Sequence, residues 1–137
     1  MTLAMAQLEP MRKSATIATI LLVEDEVLIS EMVADILEEQ GFAVHVAATA
    51  DEALRHIESG AEVDALFTDV HLPGGMDGSE LAIRVRAMRP DMPIVYASGR
   101  WSPDEGSQLV PRSVFLAKPY DPRDAGMLLK RLVSRPH

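Results

Sequence analysis

The sequence predicts one α/β domain of the doubly wound class, with a five-stranded parallel sheet covered by five helices. Short apolar runs alternate with helical patterns along the whole chain, and the first run is almost entirely apolar. Such a run is typical of a strand that is buried on both faces of a parallel sheet. The length of 137 residues suits one domain, and no repeat or interdomain linker divides it. Right-handed crossovers are therefore expected to join the strands.

The five predicted strands are short and lie between turn or cap signals. They cover residues 17–23, 42–47, 64–68, 92–97 and 114–117. The second run alternates apolar and polar residues, whereas the first is continuous. Asp69 directly follows the third run.

The first two helices are predicted from apolar spacing and from their ends. Gly41 ends the first helix, and a capping box of Thr49 and Glu52 begins the second. The inward face of the first comprises Ile29, Met32, Val33, Ile36 and Leu37. That of the second comprises Ala53, Leu54 and Ile57.

The last three helices follow the same pattern. The third begins at Asp77, carries Leu81, Val85 and Met88, and ends before Pro90. The fourth spans residues 102–110 and is expected to be the weakest, because Gly106 and Pro111 limit it to about two turns. The fifth is capped at residues 121–122. It packs Leu128, Leu129, Leu132 and Val133.

Composition excludes several classes of function. Thirteen basic and 21 acidic residues give a formal charge of −8, which disfavours nucleic acid and anionic membranes as partners. The absence of cysteine excludes disulfides, thiolate metal sites and thiol nucleophiles. No apolar stretch approaches the ~20 residues of a membrane-spanning helix. We expect a cytoplasmic protein whose residues 1–15 form a disordered extension.

Polar residues follow the predicted strands at the edge where doubly wound folds place their function. Glu24 and Asp25 follow the first strand, Asp69 the third, Ser98 the fourth and Lys118 the fifth. Three converging carboxylates repel one another unless a cation lies between them. Oxygen ligands alone suit a hard ion, Mg²⁺ first and Mn²⁺ second.

Asp69 is the candidate nucleophile of this site, because an aspartate carboxylate can accept a phosphoryl group as an acyl phosphate. The Lys118 ammonium and the Ser98 hydroxyl would then contact phosphoryl oxygens. Each residue alone has an ordinary explanation as a helix cap, a turn residue or a solvated charge. The hypothesis depends on their meeting at one edge of the sheet.

From residue 16 to 135 the chain resembles the receiver domain of two-component response regulators, the CheY-like superfamily with its flavodoxin-like fold. The matching segments follow in the order of that family. They are Leu22-Val23-Glu24-Asp25-Glu26, Asp69-Val70-His71-Leu72-Pro73, Met76-Asp77-Gly78, Ala97-Ser98-Gly99 and Phe115-Leu116-Ala117-Lys118-Pro119.

The resemblance implies a role for each matching residue. Asp69 would be the phosphoacceptor, and Lys118 would bind the phosphoryl group ahead of a cis peptide bond to Pro119. Ser98 would be the switch hydroxyl and Phe115 the switch aromatic residue. The implied Mg²⁺ ligands are the carboxylates of Glu24, Asp25 and Asp69 and the backbone carbonyl of His71. His71 and Arg100 occupy positions that tune hydrolysis of the acyl phosphate.

Some residues depart from the common pattern of the family. The acidic pair is Glu-Asp rather than Asp-Asp, and the loop over residues 73–78 has one extra glycine. Phe115 lacks the hydroxyl of a switch tyrosine. Residues 93–99, Trp101 and residues 118–120 resemble the FAT GUY subset of receivers, although Arg100 falls where that subset prefers an apolar residue.

The resemblance implies a signalling protein rather than an enzyme. Asp69 would receive its phosphoryl group from a histidine kinase or a histidine phosphotransfer protein. Only 19 residues follow Lys118. We therefore expect a stand-alone receiver, monomeric or weakly dimeric. It would bind an unidentified protein target near the fourth helix, fifth strand and fifth helix, or act as a phosphate sink.

Three alternatives compete with this interpretation. A degenerate receiver would bind partners without phosphorylation, although every expected site position is filled here. A haloacid-dehalogenase-type phosphatase needs an acid two residues after its nucleophile, where this chain has His71. A flavodoxin-like binding module is disfavoured because residues 24–26 are acidic and would repel a bound phosphate.

Overall fold

The computed structural model describes residues 16–99 and 110–134. Five parallel strands form one sheet in the order β2-β1-β3-β4-β5. They are β1 (Thr19–Val23), β2 (Ala43–Ala47), β3 (Ala65–Asp69), β4 (Ile94–Ser98) and β5 (Ser113–Ala117). The parallel sheet confirms the predicted class, and each strand lies within one or two residues of its predicted position.

Four helices lie in the described ranges. They are α1 (Val27–Glu39), α2 (Ala50–Glu58), α3 (Gly78–Met88) and α4 (Pro122–Ser134). The helix predicted at residues 102–110 and the extension predicted at residues 1–15 fall outside the described residues, except for Val110. Among the residues that the structure describes, no helix is long and apolar enough to cross a membrane.

The sheet separates two apolar layers. One layer lies between the sheet and helices α2 and α3, and includes Leu54, Ile57, Leu81 and Val85. The other lies beneath α1 and α4, and includes Val33, Leu37 and Leu129. Burial on both faces explains why the central strands are almost wholly apolar.

Local signals at the helix ends are confirmed. The Thr49 hydroxyl accepts a hydrogen bond from the Glu52 backbone N–H at 3.1 Å. The Asp77 carboxylate accepts one from the Glu80 N–H at 2.9 Å. Gly41, with φ of +104°, follows α1 in the conformation that favours glycine.

The apolar faces are narrower than the sequence predicts. Met32, predicted on the inward face of the first helix, is 50% exposed, and Met88, predicted with the apolar residues of the third, is 39% exposed. Met88 is the last residue of α3, where the core covers only part of its side chain. Ala82 on that helix is fully buried instead and belongs to the apolar layer beneath α2 and α3.

The Arg86 guanidinium joins the end of α3 to the start of β5. It donates hydrogen bonds of 2.8–3.2 Å to four backbone carbonyls, two at residues 89–90 and two at residues 111–112. Two of these carbonyls, at residues 89 and 112, also accept a backbone N–H, so Arg86 adds to this pairing and ties the two segments together.

Candidate functional site

The carboxyl edge of the sheet positions the site residues through the backbone. The Glu24 N–H donates to the Ala47 carbonyl at 3.0 Å, one residue beyond the end of β1. The Lys118 N–H donates to the Ser98 carbonyl at 2.9 Å, beyond the end of β5. The hydrogen bonding of the sheet therefore extends into both residues and holds their backbones in place.

Three carboxylates meet at this edge. Glu24, Asp25 and Asp69 each offer an oxygen, and these oxygens lie within 4.8 Å of one another. Glu24 is buried at 6% exposure, whereas Asp25 is exposed and Asp69 lies between these extremes. The three carboxylates thus converge as the strand ends predict, and the cluster is accessible from solvent on the Asp25 side.

Lys118 carries the positive charge of the site. Its ammonium lies 2.8 Å from Asp69 Oδ2 and 3.9 Å from Glu24 Oε1, with the side chain 32% exposed. Burial alone lowers the pKa of Lys118, but the hydrogen bond and charge of Asp69, together with the charges of Glu24 and Glu26, raise it above its usual value. Lys118 is therefore cationic and bonded to Asp69. The Lys118–Pro119 peptide bond is cis, as the resemblance implies.

Glu24 is the least solvated of the acids. Burial raises its pKa, the hydrogen bond from the Glu26 N–H at 3.0 Å opposes this, and the negative charge of Asp69 raises it further. A nearby cation would favour the ionised form of Glu24.

The donor set fits a divalent hard cation. One ammonium against three carboxylates leaves two negative charges when all are ionised. The side-chain donors are all oxygens, which Mg²⁺ prefers. His71 follows Asp69 by two residues, and its side chain is exposed.

Ser98 and Phe115 lie on neighbouring strands. Ser98 is the last residue of β4 and is 1% exposed. Phe115 lies in β5 beside Tyr96 and packs against the apolar layer beneath α2 and α3. The structure thus places Ser98 at the carboxyl edge, and Phe115 partly buried against a core layer three residues before Lys118.

The contacts of two residues near Asp69 were not predicted from the sequence, although both residues, Gly78 and Tyr120, lie in segments that carry the resemblance. The Gly78 N–H donates to the Val70 carbonyl at 2.8 Å, and a Cβ atom on Gly78 would collide with the Asp69 carbonyl. Tyr120 packs on Phe67, with ring centroids 5.6 Å apart. Burial, and then the charges of Glu24 and Asp69, raise the pKa of Tyr120 to about 12. Neither contact has a local sequence signal.

Curated relatives share part of their length with this chain. The sensor kinase CckA of Brucella abortus is 34% identical over 122 residues, which are 86% of this chain and 13% of the relative. The nitrogen assimilation regulatory protein NtrX of Azorhizobium caulinodans is 34% identical over 74% of this chain and 23% of its own length. The chain therefore spans less than a quarter of these two relatives.

Solved structures match nearly end to end. A response regulator receiver protein from Sinorhizobium medicae has a TM-score of 0.81 and 32% identity, over 85% of this chain and 94% of that one. The Vibrio cholerae chemotaxis protein CheY4 has a TM-score of 0.77 and 30% identity, over 84% of this chain and 98% of that one. The profile of the response regulator receiver domain matches residues 20–130. The chain belongs to the response regulator receiver domain family, the signalling domain of two-component systems.

Proposed function

We propose that Asp69 accepts a phosphoryl group from a phosphohistidine on a histidine kinase or a histidine phosphotransfer protein. The observation that carries this proposal is the Lys118 ammonium, 2.8 Å from Asp69 Oδ2, beside a cluster of three carboxylates. A nucleophilic carboxylate needs a nearby positive charge to bring a phosphoryl dianion to it. We assign residues 16–135 to the receiver domain that contains this site.

The transfer exchanges one bond to phosphorus for another. A carboxylate oxygen of Asp69 forms the new O–P bond as the P–N bond to the donor imidazole breaks, and the imidazole leaves with that electron pair. Lys118 moves its hydrogen bond from the carboxylate to a phosphoryl oxygen. The Ser98 hydroxyl donates a hydrogen bond to another phosphoryl oxygen. Phe115 on β5 changes its packing once Ser98 and Lys118 have bound the phosphoryl group.

The proposed metal ligands are Glu24, Asp25, Asp69 and the backbone carbonyl of His71. Mg²⁺, or Mn²⁺ in its place, would neutralise charge on the phosphoryl oxygens when bound. Asp25, as the exposed carboxylate, faces the solvent from which the ion arrives. The Glu26 N–H donates a hydrogen bond to Glu24 Oε2 and so orients the Glu24 carboxylate.

An exposed apolar rim supports a protein as the phosphoryl donor. Leu28 is 82% exposed and Val27 is 64% exposed, and both lie in the first turn of α1, directly after the acidic pair. Exposed acids on the same helix, Glu31 and Asp35, favour a donor surface with basic residues. Phosphorylation would change the protein's surface for a downstream protein target, or the domain would serve as a phosphate sink.

Intact mass spectrometry tests the proposal. We expect a single phosphoryl adduct after incubation with Mg²⁺ and acetyl phosphate, lost in Asp69→Asn and suppressed by a chelator. Glu80→Gln is a matched control, because this exposed acid pairs with Arg84 on α3. An adduct that persists in Asp69→Asn would contradict the assignment. If neither acetyl phosphate nor phosphorylated histidine kinases gave an adduct, a phosphorylation-independent interaction module would replace it.

A further inference from the structure

We propose that the aromatic ring of Tyr120 is a positioning element of the phosphoryl site, forming the floor beneath the carboxylates of Glu24 and Asp69. The inference deepens the proposed function and rests on it. Tyr120 would touch neither the phosphoryl group nor its donor. Its ring would act through the two carboxylates that it supports.

Strand geometry places Tyr120 one layer below the site. Side chains two residues apart on a strand point to the same face, so Phe67 and Asp69 of β3 share a face. The Tyr120 ring lies against Phe67 with centroids 5.6 Å apart and planes tilted by 56°. Tyr120 also packs against the apolar layer beneath α1 and α4. The ring therefore lies between that layer and the carboxyl edge.

The same ring borders an apolar groove beside the site. The groove has a volume of about 360 Å³ and runs between α1 and the loop after β5, with Met32 and Ile29 on the helix side and Lys118 and Tyr120 on the loop side. Glu24 is only 6% exposed although the groove is open to solvent. We attribute this burial to the Tyr120 ring, which lines the groove beside Lys118.

Electrostatics agree with this placement. The negative charges of Glu24 and Asp69 both contribute to raising the pKa of Tyr120, after burial. Both carboxylates therefore lie near enough to act on the phenol. A smaller side chain would open the floor, let water reach the inner side of Glu24 and allow its carboxylate to turn away from the ion. Residues that orient metal ligands typically contribute about 10–100-fold to metal affinity.

Isothermal titration with Mg²⁺ on the unphosphorylated protein tests the inference. We expect Tyr120→Leu to weaken Mg²⁺ binding about tenfold. Tyr120→Phe keeps the ring and should remain within about twofold of wild type, because the floor needs no hydroxyl. Met32 lies on the opposite side of the groove, so the Met32→Leu variant should bind Mg²⁺ with wild-type affinity. Thermal melts without Mg²⁺ check folding, and Tyr120→Met replaces Tyr120→Leu if the latter is unfolded.

The outcomes are separable. Wild-type affinity in the folded Tyr120→Leu or Tyr120→Met variant would overturn the inference alone. A Tyr120→Phe variant as weak as Tyr120→Leu would assign the effect to the hydroxyl and overturn the role of the ring. A wild-type protein that binds no Mg²⁺ would overturn the proposed metal site and this inference together.

Discussion

Replacing Gly78 by alanine should destabilise the protein, although helix propensity predicts the opposite. Gly78 begins α3, and alanine is favoured over glycine in a helix interior by up to about 1 kcal/mol. A steric clash outweighs this gain, because a Cβ atom at residue 78 would collide with the Asp69 carbonyl and lie 3.0 Å from the Thr68 hydroxyl oxygen. Backbone atoms of a central strand cannot move aside as a flexible side chain can.

The magnitude follows from two losses. Overpacking a filled site costs about 1–3 kcal/mol. Weakening the 2.8 Å hydrogen bond from the Gly78 N–H to the Val70 carbonyl costs about 0.5–1.5 kcal/mol more. Helix propensity offsets part of these losses, so Gly78→Ala should lower the free energy of unfolding by about 2 kcal/mol. For a domain of this size, that corresponds to a fall in melting temperature of roughly 8 °C.

Gly126→Ala provides a matched control in α4. Its Cβ would meet the Gln40 amide, which is the far end of a flexible side chain. That amide can turn away at the cost of its 3.2 Å hydrogen bond to the Arg123 carbonyl. Helix propensity offsets this loss, so stability should change by less than about 1 kcal/mol. Urea unfolding and thermal melts measure both variants. Gly78→Ala as stable as wild type would refute the reasoning.

Three further variants test other contacts. Lys118→Met removes the ammonium that bonds to Asp69, so phosphoryl incorporation should slow about a hundredfold in intact-mass time courses. Burial, and then the charge of His45, lower the pKa of His56 below 6.5. Well above pH 6.5 His56 is neutral in both states. As the pH falls, the unfolded state is protonated first, so stability is lost until the pH has passed through the folded pKa. Wild type should therefore lose more stability than His56→Gln between pH 7.5 and 5.5 in urea unfolding, and equal losses would contradict this. Arg86→Lys cannot serve all four carbonyls and should cost about 1–3 kcal/mol in the same assay.

Much of the site could be predicted because its residues follow strand ends. Glu24, Asp69, Ser98 and Lys118 each end or follow an apolar run, and parallel strands carry such positions to one edge. Which of these side chains contact one another could not be predicted from the sequence. That the Lys118 ammonium lies 2.8 Å from Asp69 Oδ2 but 3.9 Å from Glu24 Oε1 is a tertiary contact between side chains at the ends of separate strands. The metal ligands, the switch residues and the phosphoacceptor role remain predictions.

The amino-acid sequence by itself determined the alternation of strands and helices, the helix caps and the residues at the strand ends. These features depend on periodicity and on hydrogen bonds between residues a few positions apart, as between Thr49 and Glu52. Only the tertiary structure decided the strand order, the close approach of Gly78 to Asp69 and the packing of Tyr120 on Phe67. Strand order and Tyr120 packing join residues far apart in the chain. The approach of Gly78 to Asp69 depends on how the loop between them turns back on β3. Sequence patterns over a few residues do not predict contacts of either kind.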